Sequence, residues 1–270
     1  MSKSFSNFIL KLIAFETDTY YGNKQQFMSS TETYRDRLYS NYFKDRYSES
    51  TIKKKLAIDL YHLEKEILPL LPQNKDAVVL DLGCGHGNFM LLLMQKGFIN
   101  VHGIDISPDQ IRKANELGLK NAVHGDILNF LTSNSEKFDI ILGIDIIEHL
   151  KKSELTGLMN QIYSALKPEG IAVFRTPNAD GLANSVFSAG DFTHENIING
   201  FSAEQICLSA GFTNVRILKS YIHTENPLKE AIRKVLWFWF TLSKRLEIFA
   251  AGISSKKVIF TPNLIFKVVK

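Results

Sequence analysis

The chain has 270 residues, of which 45% are hydrophobic and 22% are charged, a composition typical of a globular protein. Its length allows one α/β domain with additions and is small for two full domains. The formal net charge of +4 permits contact with phosphates or anionic lipid but requires neither, so we expect no nucleic-acid partner.

Cysteine usage and the N-terminal sequence indicate the compartment. The two cysteines, Cys84 and Cys207, lie far apart without zinc-type spacing, which argues against a disulfide framework or a structural zinc site. The first apolar stretch is interrupted by Lys11 and lacks a small-residue cleavage pattern, so we expect no secretory signal. No window reaches the roughly 18 uninterrupted apolar residues of a membrane span. These features predict a cytoplasmic protein.

Helical periodicity first becomes clear over residues 51–71, where apolar residues recur at helical spacing. We assign residues 1–75 to an N-terminal helical segment that acts as a lid. Its tyrosine-rich stretch, 17–47, suits stacking and hydrogen bonding to a sugar or another ring, or packing within the lid.

From residue 76 onward, short apolar runs alternate with helical patterns. The predicted strands lie at 77–82, 100–106, 121–126, 138–147 and 170–176, and the predicted helices at 88–96, 108–117 and 152–166. This alternation predicts right-handed βαβ crossovers and a parallel sheet buried on both faces. A helix closed by Gly211, a strand at 214–222 and a last strand at 263–270 complete the pattern.

A long segment of helical pattern separates the last two predicted strands, too long for a hairpin turn. We therefore divide the rest of the chain into a core at 76–222, a helical insertion at 223–257 and a final core strand within 258–270. Aromatic residues widen the apolar stripe of the insertion, and Lys and Arg flank it. Residues 229–249 are a candidate for peripheral contact with the inner face of the membrane. Packing on the core or on a second copy in a homodimer is the alternative.

The stretch VVLDLGCGHGNF, residues 78–89, breaks a strand with Gly83, Gly85 and Gly87 just before a helix. A glycine-rich turn at the end of a strand lets backbone approach a ligand, and the helix N-terminus adds unpaired N–H groups. A nucleotide is the expected ligand. The order G-x-G-x-G differs from the dinucleotide fingerprint G-x-G-x-x-G, and there is no Walker lysine.

Four motifs, LDLGCGHGNF, GIDIS, HGDI and FDIILGIDIIEHL, together resemble the class I S-adenosylmethionine-dependent methyltransferases over roughly residues 77–218. The resemblance implies S-adenosylmethionine as cofactor and a Rossmann-like α/β fold. Its seven-stranded sheet would be mostly parallel, with an antiparallel last strand and helices on both faces. It also implies that the glycine loop passes under the methionine part, that Asp105 binds the ribose and that Asp126 meets the adenine amino group. The cofactor-binding residues expected on this basis are Asp81, Gly83, Cys84, Gly85, Gly87, Asp105, Ile106, Asp126, Ile127 and Asp145.

Structural roles are open for several of these residues. Asp105 could cap the helix beginning at residue 108, although Ser107 is better placed for that. Asp126 could be a turn acid, and Asp81 could brace the loop through backbone hydrogen bonds. Cys84 suits a small filler in the turn better than a reactive thiol.

The element D-x-x-E-H, formed by Asp145, Glu148 and His149, resembles the E-x-x-E-H of ubiquinone-pathway O-methyltransferases and small-RNA 3′-end methyltransferases. In those groups, two carboxylates and an imidazole hold a magnesium-class ion. The first acid here is one methylene shorter, and related proteins without a metal share the E-H ending. We therefore expect no metal, with these three residues as the alternative metal set and Glu148 and His149 as catalytic candidates.

A second candidate is the D-x-T-H-E stretch of residues 191–195, in a loop that follows the fifth strand. His194 has an unperturbed pKa of about 6.5, which suits a base that takes a proton from a hydroxyl. Followed by F-S, the stretch resembles bacterial methyltransferases of glycan and lipopolysaccharide biosynthesis. Alternatively, His194 only hydrogen-bonds the lid closed.

Together these features predict an S-adenosylmethionine-dependent O-methyltransferase acting on a hydroxyl, of a sugar in a cell-surface glycan or its precursor. The alternatives are a quinone or phenol O-methyltransferase, an RNA methyltransferase and a non-catalytic S-adenosylmethionine-binding protein. The RNA alternative requires a basic groove with stacking aromatic residues, whereas the Lys and Arg residues are dispersed.

Overall fold

A computed structural model describes residues 49–270 of the chain, and side chains from residue 57. The chain divides into two compact units, Met1–Tyr61 and His62–Lys270. Only the first part of one helix is described in the first unit, so the predicted tyrosine-rich lid lies outside the described residues.

The elements follow one another as the sequence predicts, with a few short additions. They are α1 (Glu49–Glu66), a 3₁₀ helix (Leu68–Leu70), β1 (Val78–Leu82), α2 (Asn88–Gln95), β2 (Asn100–Asp105), α3 (Pro108–Glu116), β3 (Ala122–His124), α4 (Ile127–Thr132), β4 (Phe138–Ile144), a second 3₁₀ helix (Ile147–His149), α5 (Lys152–Ala165), β5 (Leu166–Pro177), α6 (Asn184–Ser188), α7 (Gly200–Ser209), β6 (Asn214–Lys219), α8 (Pro227–Ala250) and β7 (Asn263–Val269).

The seven strands form one sheet in the order β3-β2-β1-β4-β5-β7-β6. Strands β1 to β5 pair in parallel, and β7 runs antiparallel to both β5 and β6. The prediction of a mostly parallel seven-stranded sheet with an antiparallel last strand is confirmed.

The chain order reverses between β1 and β4, and this switch point positions the candidate site. Strand β1 pairs with β2 on one side and with β4 on the other. In open α/β sheets, ligands bind in the crevice outside the carboxyl ends of the strands at such a point. Gly83, Asp105 and Asp145 all lie at these strand ends.

Apolar residues on both faces of the central strands are fully buried. Leu80 and Leu82 of β1 belong to one core cluster with residues of α5 and α7, and Val79, which alternates with them, is also 0% exposed. Because successive residues of a strand point to opposite faces, the sheet is covered on both sides.

Strand β4 ends at Ile144, whereas the sequence predicted that it continues to residue 147. Asp145 has a φ of +52°, a left-handed backbone conformation that interrupts the strand. The 3₁₀ helix Ile147–His149 follows directly. The turn carries residues 145–149 out of the sheet at its carboxyl edge.

Helix α8 confirms that the insertion is helical, but no residue of this helix is buried. The alternative that its apolar stripe is buried against the core therefore does not hold for this helix. Its half-buried residues include both polar and apolar side chains. Within residues 49–270, no helix combines the length and hydropathy needed to cross a membrane.

Phe174 of β5 tests the packing between this strand and β7, its antiparallel neighbour in the sheet. Its side chain is 0% exposed, and its ring stacks on Phe266 with centroids 4.7 Å apart. We expect Phe174→Ala to lower the free energy of unfolding by about 3 to 5 kcal/mol because it leaves a cavity. Phe187→Ala, at a side chain 42% exposed, is the control and should change it by about 0.5 kcal/mol or less. Chemical denaturation that finds equal losses would contradict this packing.

Candidate active site

The glycine loop after β1 has a backbone that other residues rarely adopt. Gly83, Gly85 and Gly87 have φ angles of +68°, +54° and +87°. The N–H groups of Gly83 and Cys84 both donate to the carbonyl of Ile104, at 2.9 and 3.1 Å, which fixes the loop to β2.

Space around the loop differs between its glycines. A Cβ atom on Gly87 would lie 2.1 Å from Cδ1 of Leu119, so a larger residue there would have to displace that side chain in addition to adopting a strained φ angle. A Cβ atom on Gly85 would meet nothing within 4 Å. The backbone at Gly85 therefore borders open space.

Cys84 occupies the underside of this loop. Its side chain is 8% exposed, and a Cβ atom on Gly103 would come within 2.7 Å of its Sγ atom. Burial raises the pKa of the Cys84 thiol, and the nearby carboxylates of Asp81 and Asp105 add to this effect. The thiol is therefore a protonated filler in the turn, as one sequence alternative held.

Asp105 stands at the end of β2 with both carboxylate oxygens oriented by backbone. Oδ2 accepts a hydrogen bond from the N–H of Gly85 at 2.9 Å, and Oδ1 accepts one from the N–H of Ser107 at 2.8 Å. Ser107 caps α3 through its own hydroxyl, so Asp105 is not the helix cap. Each carboxylate oxygen retains acceptor capacity for a ligand hydroxyl.

Asp81 lies beneath the loop and is only 3% exposed. Burial, with a further contribution from the charge of Asp105, raises the pKa of Asp81 to about 8. A cation placed next to this carboxyl group would be stabilised by its ionised form.

Asp126 begins α4, a helix that the sequence did not predict. Its Oδ1 atom accepts a hydrogen bond from the N–H of Asn129 at 2.9 Å, so it is the N-cap residue. Ile127 packs against the core cluster, whereas the side chain of Ile106 is 69% exposed beside Asp105. An exposed apolar side chain at this edge suits contact with a flat ring.

Asp145 is paired within the protein. Nε of Arg175 donates to its Oδ1 at 3.0 Å, and Nη2 donates to its Oδ2. Nη1 of Arg175 donates to Oε2 of Glu66 at 3.3 Å. Arg175 therefore joins α1 to the turn after β4.

Sequence reasoning missed the pair of Arg175 and Glu66. Glu66 also accepts a hydrogen bond from the N–H of Tyr221 at 2.7 Å, and burial raises its pKa although Arg175 opposes that shift. The available signal was a lone arginine inside the apolar run of β5. A charge in a buried strand requires a partner of opposite charge.

The two predicted histidine motifs come together. Glu148, His149 and His194 each offer a ligand atom, and these atoms lie within 4.8 Å of one another. Glu148 is 2% exposed and accepts a hydrogen bond from the hydroxyl of Thr176 at 3.1 Å. Burial, with a contribution from Asp145, raises the pKa of Glu148 to about 8. Burial first, and then His194, lowers the pKa of His149, which favours its neutral form.

Hydrogen bonds assign the tautomers of both histidines. Nδ1 of His194 lies 2.9 Å from the carbonyl oxygen of Ser188, which can only accept, so this nitrogen carries the proton. Nδ1 of His149 donates to the hydroxyl of Thr193 at 2.9 Å, because that hydroxyl donates to Asp191 at 2.7 Å. In each neutral ring, Nε2 is then the nitrogen with the lone pair.

The loop of residues 191–196 is fixed to the turn after β4. The N–H groups of Glu195 and Asn196 donate to the carbonyl of Glu148 at 2.7 and 3.0 Å, and the side chain of Asn196 donates to the carbonyl of Leu150. His194 therefore occupies a defined position. The alternative role of His194, a hydrogen bond that holds the lid closed, concerns a lid that lies mostly outside the described residues.

The structure changes one member of the metal-ligand set that the sequence offered as an alternative. Asp145 is engaged by Arg175, and the cluster contains His194 in its place. One carboxylate and two imidazoles are suitable ligands for a divalent metal, and an Nδ1–H bonded to a backbone carbonyl or a hydroxyl is the usual outer partner of such a ligand. The residues therefore fit a metal ion, and its absence stays a prediction.

Ile146 connects this cluster to the glycine loop. A Cβ atom on Gly83 would lie 2.8 Å from Cδ1 of Ile146, so this side chain packs directly on the loop. Glu148 and His149 follow within three residues. The cluster of Glu148, His149 and His194 and the glycine loop therefore share one edge of the sheet.

Comparisons with known proteins identify the family. A family profile described as "Methyltransferase domain" matches residues 54–217. Curated relatives include a phosphoethanolamine N-methyltransferase of Plasmodium falciparum, 32% identical over 39% of this chain and 41% of that protein. They also include a ubiquinone biosynthesis O-methyltransferase of Haemophilus ducreyi, 29% identical over 37% of this chain and 45% of that protein. The chain thus spans less than half the length of these two relatives.

Solved structures share the fold. An S-adenosylmethionine-dependent methyltransferase from Archaeoglobus fulgidus superposes with a TM-score of 0.60, at 22% identity, over 88% of this chain and 100% of that chain. Phosphoethanolamine N-methyltransferase 2 of Haemonchus contortus, in complex with S-adenosylmethionine, superposes with a TM-score of 0.57, at 18% identity, over 90% and 61% of the two chains. The chain therefore belongs to the methyltransferase-domain family, and its fold is that of the class I methyltransferases that use S-adenosylmethionine as cofactor.

Proposed function

We propose that this chain transfers the methyl group of S-adenosylmethionine to a hydroxyl, on a sugar of a cell-surface glycan or its precursor. The observation that carries the proposal is the lone pair on Nε2 of His194, in a cluster at the same sheet edge as the glycine loop. A hydroxyl acceptor must lose a proton as it is methylated, and a neutral imidazole can take it.

The cofactor site is assigned to the residues at the ends of β1 and β2. The backbone of Gly85 borders the open space, and the two oxygens of Asp105 accept the ribose hydroxyls. The carboxyl group of Asp81, whose pKa is raised without ligand, would ionise next to the positive charge of the methionine part of the cofactor. Ile106 contacts the adenine ring, and the oxygen of Asp126 that does not cap α4 accepts from the adenine amino group.

The acceptor site is assigned to the cluster after β4 and β5. Bound S-adenosylmethionine supplies a methyl group that is already activated by the positive sulfur, so the protein mainly aligns the acceptor and excludes water. Nε2 of His194 takes the hydroxyl proton as the oxygen–methyl bond forms and the sulfur–methyl bond breaks. Neutral His149 and protonated Glu148 keep this cluster uncharged before that step.

Two observations support a glycan acceptor over the alternatives. The D-x-T-H-E stretch resembles glycan and lipopolysaccharide methyltransferases, and it supplies the proposed base. Outside residues 227–257, 25 Lys and Arg residues stand against 26 Asp and Glu residues, so the rest of the chain carries no excess of cations for RNA.

A quinone or phenol acceptor is the second candidate. The similarity to a ubiquinone biosynthesis O-methyltransferase favours it, and so does the metal-compatible set of Glu148, His149 and His194.

The acceptor class can be tested with a radiolabelled methyl group on S-adenosylmethionine. The purified protein is incubated with cell-envelope glycans, with catechol and with RNA, each in a separate reaction. We expect label in a base-stable ether of the glycan fraction. Label in catechol or RNA alone would overturn the glycan acceptor, and cofactor binding without any transfer would favour a non-catalytic binding protein.

Asp105 tests the cofactor site. We expect Asp105→Ala to weaken S-adenosylhomocysteine binding about 10- to 100-fold in calorimetry, because hydrogen bonds between a carboxylate and two hydroxyls are lost. Asp109→Ala is the matched control, since its side chain is 80% exposed on α3. Equal affinities of the two variants would remove Asp105 from the ribose site.

From the raised pKa of Asp81 we predict that binding of the cofactor is coupled to the release of a proton. Because its pKa is raised to about 8 without ligand, Asp81 is largely protonated at pH 7, and a cationic ligand lowers this pKa. Binding of S-adenosylmethionine at pH 7 should therefore release a proton, seen as binding heats that depend on the ionisation enthalpy of the buffer. Asp81→Asn should remove the part of this dependence that Asp81 causes. A dependence unchanged by the substitution would refute the assignment.

His194 tests the proposed base. His194→Gln preserves a donor toward the carbonyl of Ser188 but lacks the basic nitrogen, so turnover should fall about 100-fold or more with cofactor affinity unchanged. Treatment with EDTA should leave wild-type activity intact. Loss of activity that Mg²⁺ or Zn²⁺ restores would replace the imidazole base with a metal-bound acceptor.

A further inference from the structure

The half-buried side of helix α8 is mixed in polarity. Its half-buried side chains are Glu230, Arg233, Trp237, Thr241, Leu242, Arg245 and Ile248. Glu230 accepts hydrogen bonds from Thr224, and Nη1 of Arg245 donates to the carbonyl of Ser255 at 3.0 Å. The guanidinium of Arg245 also lies 5.2 Å from the ring centroid of Phe260. These contacts fix the rotation of the helix about its axis.

The opposite face of α8 is apolar and exposed. Large apolar side chains recur there at helical spacing, each about half exposed or more: Leu228 (71%), Ile232 (52%), Val235 (58%), Trp239 (60%), Leu246 (59%) and Phe249 (78%). We call these six residues the α8 apolar face. Surface helices normally bury such a face against the core, so this orientation is the reverse of the usual one.

The segment that carries this face has a high positive charge. Residues 227–257 contain seven Lys and Arg residues and two Glu residues, a net charge of +5, whereas the whole chain carries +4. The rest of the chain therefore sums to −1. Lys234 and Lys244 have side chains 71% and 51% exposed, and Lys257 follows the helix with 73% exposed.

We propose that α8 binds an anionic lipid surface, with its apolar face in the acyl boundary and its lysines among the headgroups. An amphipathic helix with Trp, Phe and Leu on one face and Lys and Arg on the other binds membranes in this way. Such a helix lies in the interface rather than crossing it, in accord with its hydropathy. A second copy of the chain fits the face less well, because two segments of charge +5 would meet.

The helix starts at the functional edge of the sheet. Strands β5 and β6 both run antiparallel to β7, so β6 ends at the same edge as the glycine loop and the histidine cluster. Asn226 caps α8 a few residues later. If the chain methylates glycan precursors as proposed above, this placement suits an acceptor attached to a lipid. Lipid binding itself is independent of that function.

The tryptophans provide a direct probe. The chain contains two, Trp237 and Trp239, and both lie in α8. Trp237→Phe leaves Trp239 on the apolar face as the sole reporter. With vesicles of phosphatidylcholine and phosphatidylglycerol at low salt, we expect a blue shift of its emission and quenching by lipids brominated on the acyl chain. Vesicles of phosphatidylcholine alone should give a much weaker response, and high salt should reduce binding to the anionic ones.

Matched variants test the surface. Val235→Glu places a charge on the α8 apolar face and should reduce sedimentation with anionic vesicles about tenfold. Ile99→Glu, at a side chain 65% exposed outside α8, should have no effect. Circular dichroism verifies that both variants are folded.

Three outcomes would overturn the proposal. The first is that the folded full-length protein fails to sediment with anionic vesicles at low salt. The second is that Val235→Glu and Ile99→Glu bind equally well. The third is that the protein is a dimer in sedimentation equilibrium, that Val235→Glu makes it a monomer and that vesicles leave Trp239 emission unchanged, which would assign the face to a second copy.

Discussion

The hydrogen bond from the N–H of Gly85 to the carboxylate of Asp105 is the contact on which the candidate site depends. It joins the tips of β1 and β2 and aligns an acidic group with bare backbone. The loop can make this contact because Gly83, Gly85 and Gly87 all adopt positive φ angles. Larger residues in place of Gly83 and Gly87 would also collide with Ile146 and Leu119, respectively. A few backbone constraints thus define the candidate binding edge within a fold that many methyltransferases share.

A second constraint organises the proposed acceptor side. Arg175, inside β5, is held between Glu66 and Asp145, and the left-handed turn at Asp145 directs Glu148 and His149 to the edge. The carbonyl of Glu148 then anchors the loop that carries His194. Arg175 and Glu66 are both buried, and buried charges of this kind cost desolvation energy unless they are paired.

The sequence predicts the sheet well because parallel strands buried on both faces appear as short apolar runs between helical patterns. It also predicts that Asp105 lies near a strand tip, since parallel strands end at one edge, but it placed Asp145 inside β4, which ends at Ile144. The pairing of Asp145 with Arg175 could not be predicted, because a partner for a buried charge lies far away in the chain. Nor could the orientation of α8, because periodicity identifies an apolar face but not what lies against it. His194 shows the intermediate case, since its motif was found from sequence while its tautomer required the contact with Ser188.

The most direct test is a crystal structure of the protein with bound S-adenosylhomocysteine. The ribose hydroxyls should lie within hydrogen-bonding distance of the Asp105 carboxylate, with the sulfur facing the side on which Nε2 of His194 and Glu148 lie. A ligand whose ribose avoids Asp105, or whose sulfur points away from the histidine cluster, would contradict both the cofactor site and the proton acceptor.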